Sequence, residues 1–189
     1  MQLHGRSIIR GEAVRGGTVS FAATAAATGE ELTPPFFEAT TAQVDSALAA
    51  AEAAFVDLRH QPPERIAGLL ERLAQEIMGL GNELIERGMA ETGLPEARLV
   101  GERARTCNPL RLFAGLAREG SWVEAVIDTA QPERQPLPKP DLRRMARPIG
   151  PVVVFGAGNF PFAFGACGGD TASALAAGNP VVVKAHRGH

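Results

Sequence analysis

Val152-Val153-Val154-Phe155 and Val181-Val182-Val183 are unbroken apolar runs, and the segment joining them decides the fold. Continuous runs of this length suit strands covered on both faces, as in a parallel sheet. The first run leads into a turn, Gly156-Ala157-Gly158-Asn159-Phe160-Pro161. Residues 162–177 are rich in small side chains and are expected to be helical, with Gly178-Asn179-Pro180 ending the helix. Strand, turn, helix and strand in succession make a βαβ unit, whose crossover joins parallel strands. The fold class is α/β. An open parallel sheet needs further strands and covering helices, so the chain is expected to be a truncated piece of a larger fold.

Working outward, residues 131–140 hold four prolines, too many for regular structure. The β-prone residues 122–127 and 142–147 flank them, the second run exposed by its three arginines. Two strands with a proline-rich link read as an excursion from the main body. Further upstream lie helices. Thr40 with Gln43 matches a capping box, and Val44, Leu48, Ala51 and Phe55 follow at helical spacing. Pro62-Pro63 closes that helix and opens the next, which carries an apolar stripe of Ile66, Leu69, Leu70, Leu73, Ile77 and Leu80. A third helix covers residues 82–91 and ends at Thr92-Gly93. A fourth runs from Pro95 towards Gly115. At the amino terminus Ser7-Ile8-Ile9 and Thr18-Val19-Ser20-Phe21 are β-prone, and Pro34-Pro35 falls in an expected loop.

Bulk properties narrow the function. The chain has 189 residues, 45% hydrophobic and 21% charged, with net charge −2. That balance gives no reason to expect nucleic acid or an anionic membrane as partner. No apolar run is long enough for a bilayer span or a secretory leader. Two cysteines, Cys107 and Cys167, make no disulfide framework, which suits a reducing, cytoplasmic setting.

The turn at residues 156–161 is the first candidate site, because ligands in open α/β sheets bind beyond the carboxyl ends of the strands. Glycines there allow close backbone approach and Asn159 offers an amide donor, but the same residues also suit a plain tight turn. The third glycine of the dinucleotide fingerprint is missing, so no pyrophosphate is assigned to this turn. Lys184, after three valines, stands where it can meet a ligand hydroxyl or phosphate, or simply solvent. Cys167, in a small-residue helix, and Cys107 read as inert thiols. His4, His60, His186 and His189 form no metal spacing, so no metal is expected. Arg98, Arg103, Arg105 and Arg111 dot the fourth helix. They suit a solvated face, or one of them an anionic substrate.

Three segments together resemble the aldehyde dehydrogenase superfamily. The first is Arg147-Pro148-Ile149-Gly150-Pro151 with the strand and turn through Pro161. The second is Gly168-Gly169-Asp170-Thr171-Ala172-Ser173-Ala174 with the residues through Pro180. The third is Val181-Val182-Val183-Lys184-Ala185-His186. Glu91-Thr92-Gly93-Leu94-Pro95, Gly120-Ser121-Trp122 and Pro140-Asp141-Leu142-Arg143-Arg144-Met145 extend the likeness over essentially the whole chain. The wording resembles the branch of 2,5-dioxovalerate (α-ketoglutarate semialdehyde) and NADP-dependent long-chain aldehyde dehydrogenases.

The resemblance implies a fold and roles. Residues 1–120 would be an amino-terminal β hairpin and the helical part of the cofactor-binding domain. Residues 121–147 would be oligomerisation-arm strands, and residues 148–189 the incomplete first βαβ unit of a Rossmann-like dinucleotide-binding sheet. Asn159 would donate its amide to the oxyanion formed when a thiolate attacks the aldehyde. Lys184 would contact the cofactor ribose, with backbone at Phe155, Gly156 and Ala157 along the nicotinamide. The cofactor would be NAD or NADP, the branch favouring NADP. The partners would be a small aldehyde and further copies of the chain. The resemblance places the nucleophilic cysteine, the general-base glutamate and the glycine cofactor turn beyond the Lys184 strand, so the chain alone is expected to be inactive. The other reading is a non-catalytic module that binds a nucleotide or a protein partner. Three departures stand out: Gly158 where the branch has serine, which is expected to loosen Asn159; Asn108-Pro109, expected to interrupt the fourth helix; and Arg187-Gly188.

Overall fold

The computed structural model describes residues 3–188. Strands β1 (Ser7–Ile9) and β2 (Glu12–Val14) form an antiparallel hairpin. Its turn residues Arg10 and Gly11 both have positive φ, 56° and 81°, the handedness that matches strand twist. Strands β3 (Ser20–Thr24) and β4 (Glu31–Phe37) form a second antiparallel pair. The loop expected at Pro34-Pro35 is therefore a strand. Phe21 faces Phe36 while Ala23 faces Leu32, so β4 bulges between them. The prolines sit in that bulge, where a missing N–H costs no ladder bond.

Four helices follow. In α1 (Thr41–Leu58) the capping box forms: Thr40 N donates to Gln43 Oε1 at 2.9 Å and Gln43 N donates to Thr40 Oγ1 at 3.3 Å. Helices α2 (Pro63–Gly79), α3 (Gly81–Thr92) and α4 (Glu96–Glu119) come next, with left-handed Gly93 and Gly120 ending the last two. The core lies between α2 and α4. Ile66, Ala67, Leu70 and Ala74 meet Cys107, Leu110, Ala114 and Ala117, and Ala172 joins the cluster. The alanines let the two helices approach closely, and each fully buried leucine contributes about 1.5–3 kcal/mol. Arg118 clasps the ends together, reaching Glu64 at 2.9 Å and Glu71 at 2.6 Å. The interruption expected at Asn108-Pro109 does not occur. Helix α4 runs through Pro109, held by buried Thr106, Cys107 and Leu110 on either side of it.

Beyond α4, Ser121–Val123 is a short 3-10 turn where a strand was expected to start; Glu124 there has φ 48°. Strands β5 (Val126–Asp128) and β6 (Leu142–Arg144) pair antiparallel around the proline-rich loop, with β6 exposed throughout.

The expected βαβ unit is present. Strands β7 (Val152–Phe155) and β8 (Val181–Lys184) are parallel neighbours, joined through α5 (Gly169–Ala176). Two details differ from expectation. Helix α5 starts at Gly169, not at residue 162, because residues 162–168 fold into turns. A Cβ at Gly168 would lie 2.4 Å from the Ala163 carbonyl oxygen and one at Gly165 2.2 Å from that of Pro161. The chain is wound too tightly there for a helix. Nor is β7 covered on both faces: Val154 is buried, but Val153 is 45% and Phe155 71% exposed. Asn179 closes the unit, its Oδ1 accepting from Ile149 N at 2.8 Å and Gly150 N at 3.0 Å.

Candidate active-site edge

The parallel register sets Phe155 beside Lys184 at the carboxyl edge of the two strands. Residues 156–168 leave this edge and return to α5. Gly156 N donates to Lys184 O at 3.0 Å, and Ala157 N to Phe164 O at 3.0 Å. The sequence-predicted residues Phe155, Gly156, Ala157 and Lys184 are thus gathered at one edge, and Asn159 lies on the loop that leaves it. The side chains of Phe155, Asn159 and Lys184 are exposed there.

Two glycines of the turn have a packing reason. A Cβ at Gly156 would lie 3.0 Å from His186 N, and one at Gly158 2.9 Å from His186 Nε2. The His186 ring therefore occupies the room that a side chain at position 158 would need. Gly158 is expected to loosen Asn159, but the His186 ring packs into the gap it leaves.

Helix α4 holds the loop. Glu102 is 2% exposed, and its Oε2 accepts from Phe162 N at 3.0 Å and Ala163 N at 3.4 Å. Its Oε1 accepts from Arg98 Nε at 3.1 Å. Thr106, also buried, donates from Oγ1 to Glu102 O at 2.9 Å. Two turns of α4 also grip the ring that follows Asn159. The guanidinium of Arg98 lies 4.8 Å and that of Arg105 5.0 Å from the Phe160 ring centre. Arg105 also stands 5.6 Å from the Phe164 ring, which meets Phe160 edge-on at 5.5 Å. Asn159 therefore projects from a loop fixed by a buried carboxylate, two N–H groups and three cation–ring contacts. Glu102 and Arg105 were not singled out from sequence as loop anchors. The spacing of Arg98 and Glu102 reads as an ordinary surface ion pair.

The remaining candidates are structural. Cys107 is fully buried and donates its thiol to Ala74 O at 3.6 Å. Burial pushes its thiol above the usual range, and burial does the same to Cys167, with neighbouring Cys107 adding to the rise. Neither is a thiolate at neutral pH. Cys167 lies in the turns before α5 and not in a helix. No set of three metal-ligating side chains occurs among the described residues; His189 lies outside them. Thr92 and Gly93 form a helix end, with Thr92 Oγ1 donating to Gly88 O at 2.6 Å. No helix among the described residues is long and apolar enough to cross a membrane.

The sequence pattern of the Aldehyde dehydrogenase family matches residues 15–188. The chain belongs to the aldehyde dehydrogenase family. It is 53% identical to alpha-ketoglutaric semialdehyde dehydrogenase 2 of Azospirillum brasilense, over all of this chain and 36% of that one. The alpha-ketoglutaric semialdehyde dehydrogenase of Acinetobacter baylyi is 51% identical over 82% of this chain and 29% of its own. The chain thus spans about a third of the length of the curated relatives it matches. Among solved structures, an aldehyde dehydrogenase of Brucella melitensis superposes with TM-score 0.84 at 21% identity, over 97% of this chain and 36% of that one. An Escherichia coli NADP-dependent enzyme does so with TM-score 0.82 at 22% identity, over 96% and 36%. The α/β fold is that of the amino-terminal part of family structures, and members of the family generally use NAD(P).

Proposed function

We propose that this chain supplies the oxyanion donor and part of the cofactor site of an NAD(P)-dependent aldehyde dehydrogenase that oxidises a semialdehyde to a carboxylic acid. The observation that carries this reading is the gathering of Lys184, Phe155, Gly156 and Ala157 at one sheet edge, with Asn159 exposed on the loop that leaves it, in a chain 53% identical to a semialdehyde dehydrogenase. In the net reaction aldehyde, water and NAD(P)+ become acid, NAD(P)H and a proton.

The amide of Asn159 donates to the aldehyde oxygen as negative charge gathers on it during nucleophilic attack. A donor fixed beforehand costs no reorganisation at that moment, which is why the grip of Glu102 on the loop matters. The resemblance puts the nucleophile and general base beyond the Lys184 strand, and burial keeps the two thiols of this chain protonated. The cofactor, when bound, accepts the hydride. An exposed ammonium at the carboxyl end of β8, beside the open face of Phe155, fits the hydroxyls and phosphates of a dinucleotide. Lys184 would hold the ribose, and its ammonium would suit the 2′-phosphate of NADP, the cofactor the branch resemblance favours. The β5–β6 hairpin, with Ile127, Leu137 and Leu142 all more than half exposed, serves as the arm through which copies assemble. The two free thiols suit the reducing cytoplasm.

The test is turnover by the complete polypeptide that carries this chain. NAD(P)H should form from a semialdehyde, and Lys184→Ala should weaken cofactor binding with a smaller effect on the chemical step. Unchanged affinity for both cofactors would remove Lys184 from the site.

A further inference from the structure

The environment of Arg105 is unlike that of its neighbours on α4. Arg98 spends its Nε on Glu102, Arg103 donates to Gly81 O at 2.7 Å, and Arg118 is fully engaged by Glu64 and Glu71. Arg105 is exposed, lies over the Phe160 and Phe164 rings, and pairs with no carboxylate among the described residues. A guanidinium held over rings by cation–π attraction makes no hydrogen bond to a carboxylate there, so its N–H donors are available to a planar two-oxygen acceptor. The rings also hold the side chain in place before a ligand arrives, which lowers the ordering cost of binding. Phe160 directly follows Asn159. A substrate whose aldehyde oxygen meets the Asn159 amide and whose chain runs along Phe160 therefore meets the edge of Arg105 at its far end.

We infer that Arg105 is a specificity-determining residue that binds the distal carboxylate of an aldehyde substrate, so that the site prefers carboxylate-bearing aldehydes over uncharged ones of equal length. Arg98, on the same ring, adds positive charge while its donor edge stays committed to Glu102. This rests on reading Asn159 as the oxyanion donor.

The experiment compares 5-oxopentanoate with pentanal in the complete polypeptide that carries this chain. Arg105→Met keeps the apolar packing on the rings and removes the charge. It should raise KM for 5-oxopentanoate by about 10- to 100-fold, the span of a lost charge-assisted hydrogen bond, and leave KM for pentanal within about 2-fold. Glutarate, a dicarboxylate that undergoes no turnover, should bind more weakly by a similar factor when measured by calorimetry. Arg105→Gln is the second variant should the first fail to fold, with the same expectation. Equal KM changes for the two aldehydes, or unchanged glutarate binding, would overturn the inference. A full kcat in Asn159→Ala would sink the oxyanion reading alone, because the KM ratio and the glutarate titration judge Arg105 independently.

Discussion

Glu102 carries more of the site than any other side chain outside the turn itself. Among the described residues, its carboxylate is the one acceptor for Phe162 N and Ala163 N. Glu102→Ala leaves those two N–H groups and Arg98 without it. The cost of stranding such groups is about 1–3 kcal/mol each, so the variant should melt well below the parent, with amide exchange at Phe162 and Ala163 accelerated first. Exchange that rises uniformly along α4 would show a general helix defect instead. Glu102 escapes sequence reading because an i,i+4 Arg–Glu pair looks like a solvated face; only the packed loop reveals its burial. Asn159 and Lys184 are more legible, because each follows an apolar run whose carboxyl end is where α/β ligands sit. The thiols are legible for the opposite reason, since cysteine among small apolar neighbours signals burial. Their folded pKa values are raised, so protonated thiol is the form the fold favours. That contribution is complete below the ordinary pKa of 9.0 and is lost as pH rises through the folded values. Thiol-reagent labelling of the native protein should stay slow to about pH 9 and accelerate above it. Fast labelling at pH 7 would contradict the assigned burial.

At the scale of elements, the helices were the most readable part. The capping box at Thr40, the stripe on α2 and the left-handed glycine after α3 each tie a local rule to a boundary. The misreadings share a cause: tertiary contacts override local preference. Pro34-Pro35 joins a strand through a bulge, Pro109 stays within α4 because its neighbours are buried, and α5 is shortened by a close turn at Gly165 and Gly168. The α2–α4 clasp gives an element-scale prediction. Hydrogen bonds to Arg118 hold the Glu64 and Glu71 carboxyls below the usual carboxylate range. A depressed carboxylate contributes stability above its ordinary pKa of 4.5, and that contribution fades as pH falls through the folded value. Arg118→Ala should therefore melt slightly lower than the parent at pH 7, the pairs being exposed, and the difference should vanish near pH 3. A difference that persists in acid would mean that Arg118 acts through packing of its stem.

At the scale of the molecule, the chain exposes apolar surface on one face of β7 and along α1. Val153 and Phe155 on β7 and Val44 and Leu48 on α1 are all more than a third exposed. The 189-residue chain by itself should therefore self-associate in sedimentation and show no aldehyde-dependent NAD(P)H formation. A monomer with a sharp two-state melt would contradict that account of the surface. Turnover lost with Cys167 alone would return the nucleophile to this chain. Whether α4 and the βαβ turn together present an oxyanion donor is decided by Asn159→Ala in the complete polypeptide. The substitution should lower kcat by about 10²–10³-fold, the effect of removing one such donor, with cofactor affinity nearly unchanged. Loss of cofactor binding with an intact chemical step would contradict it and leave Asn159 as a residue of the turn alone.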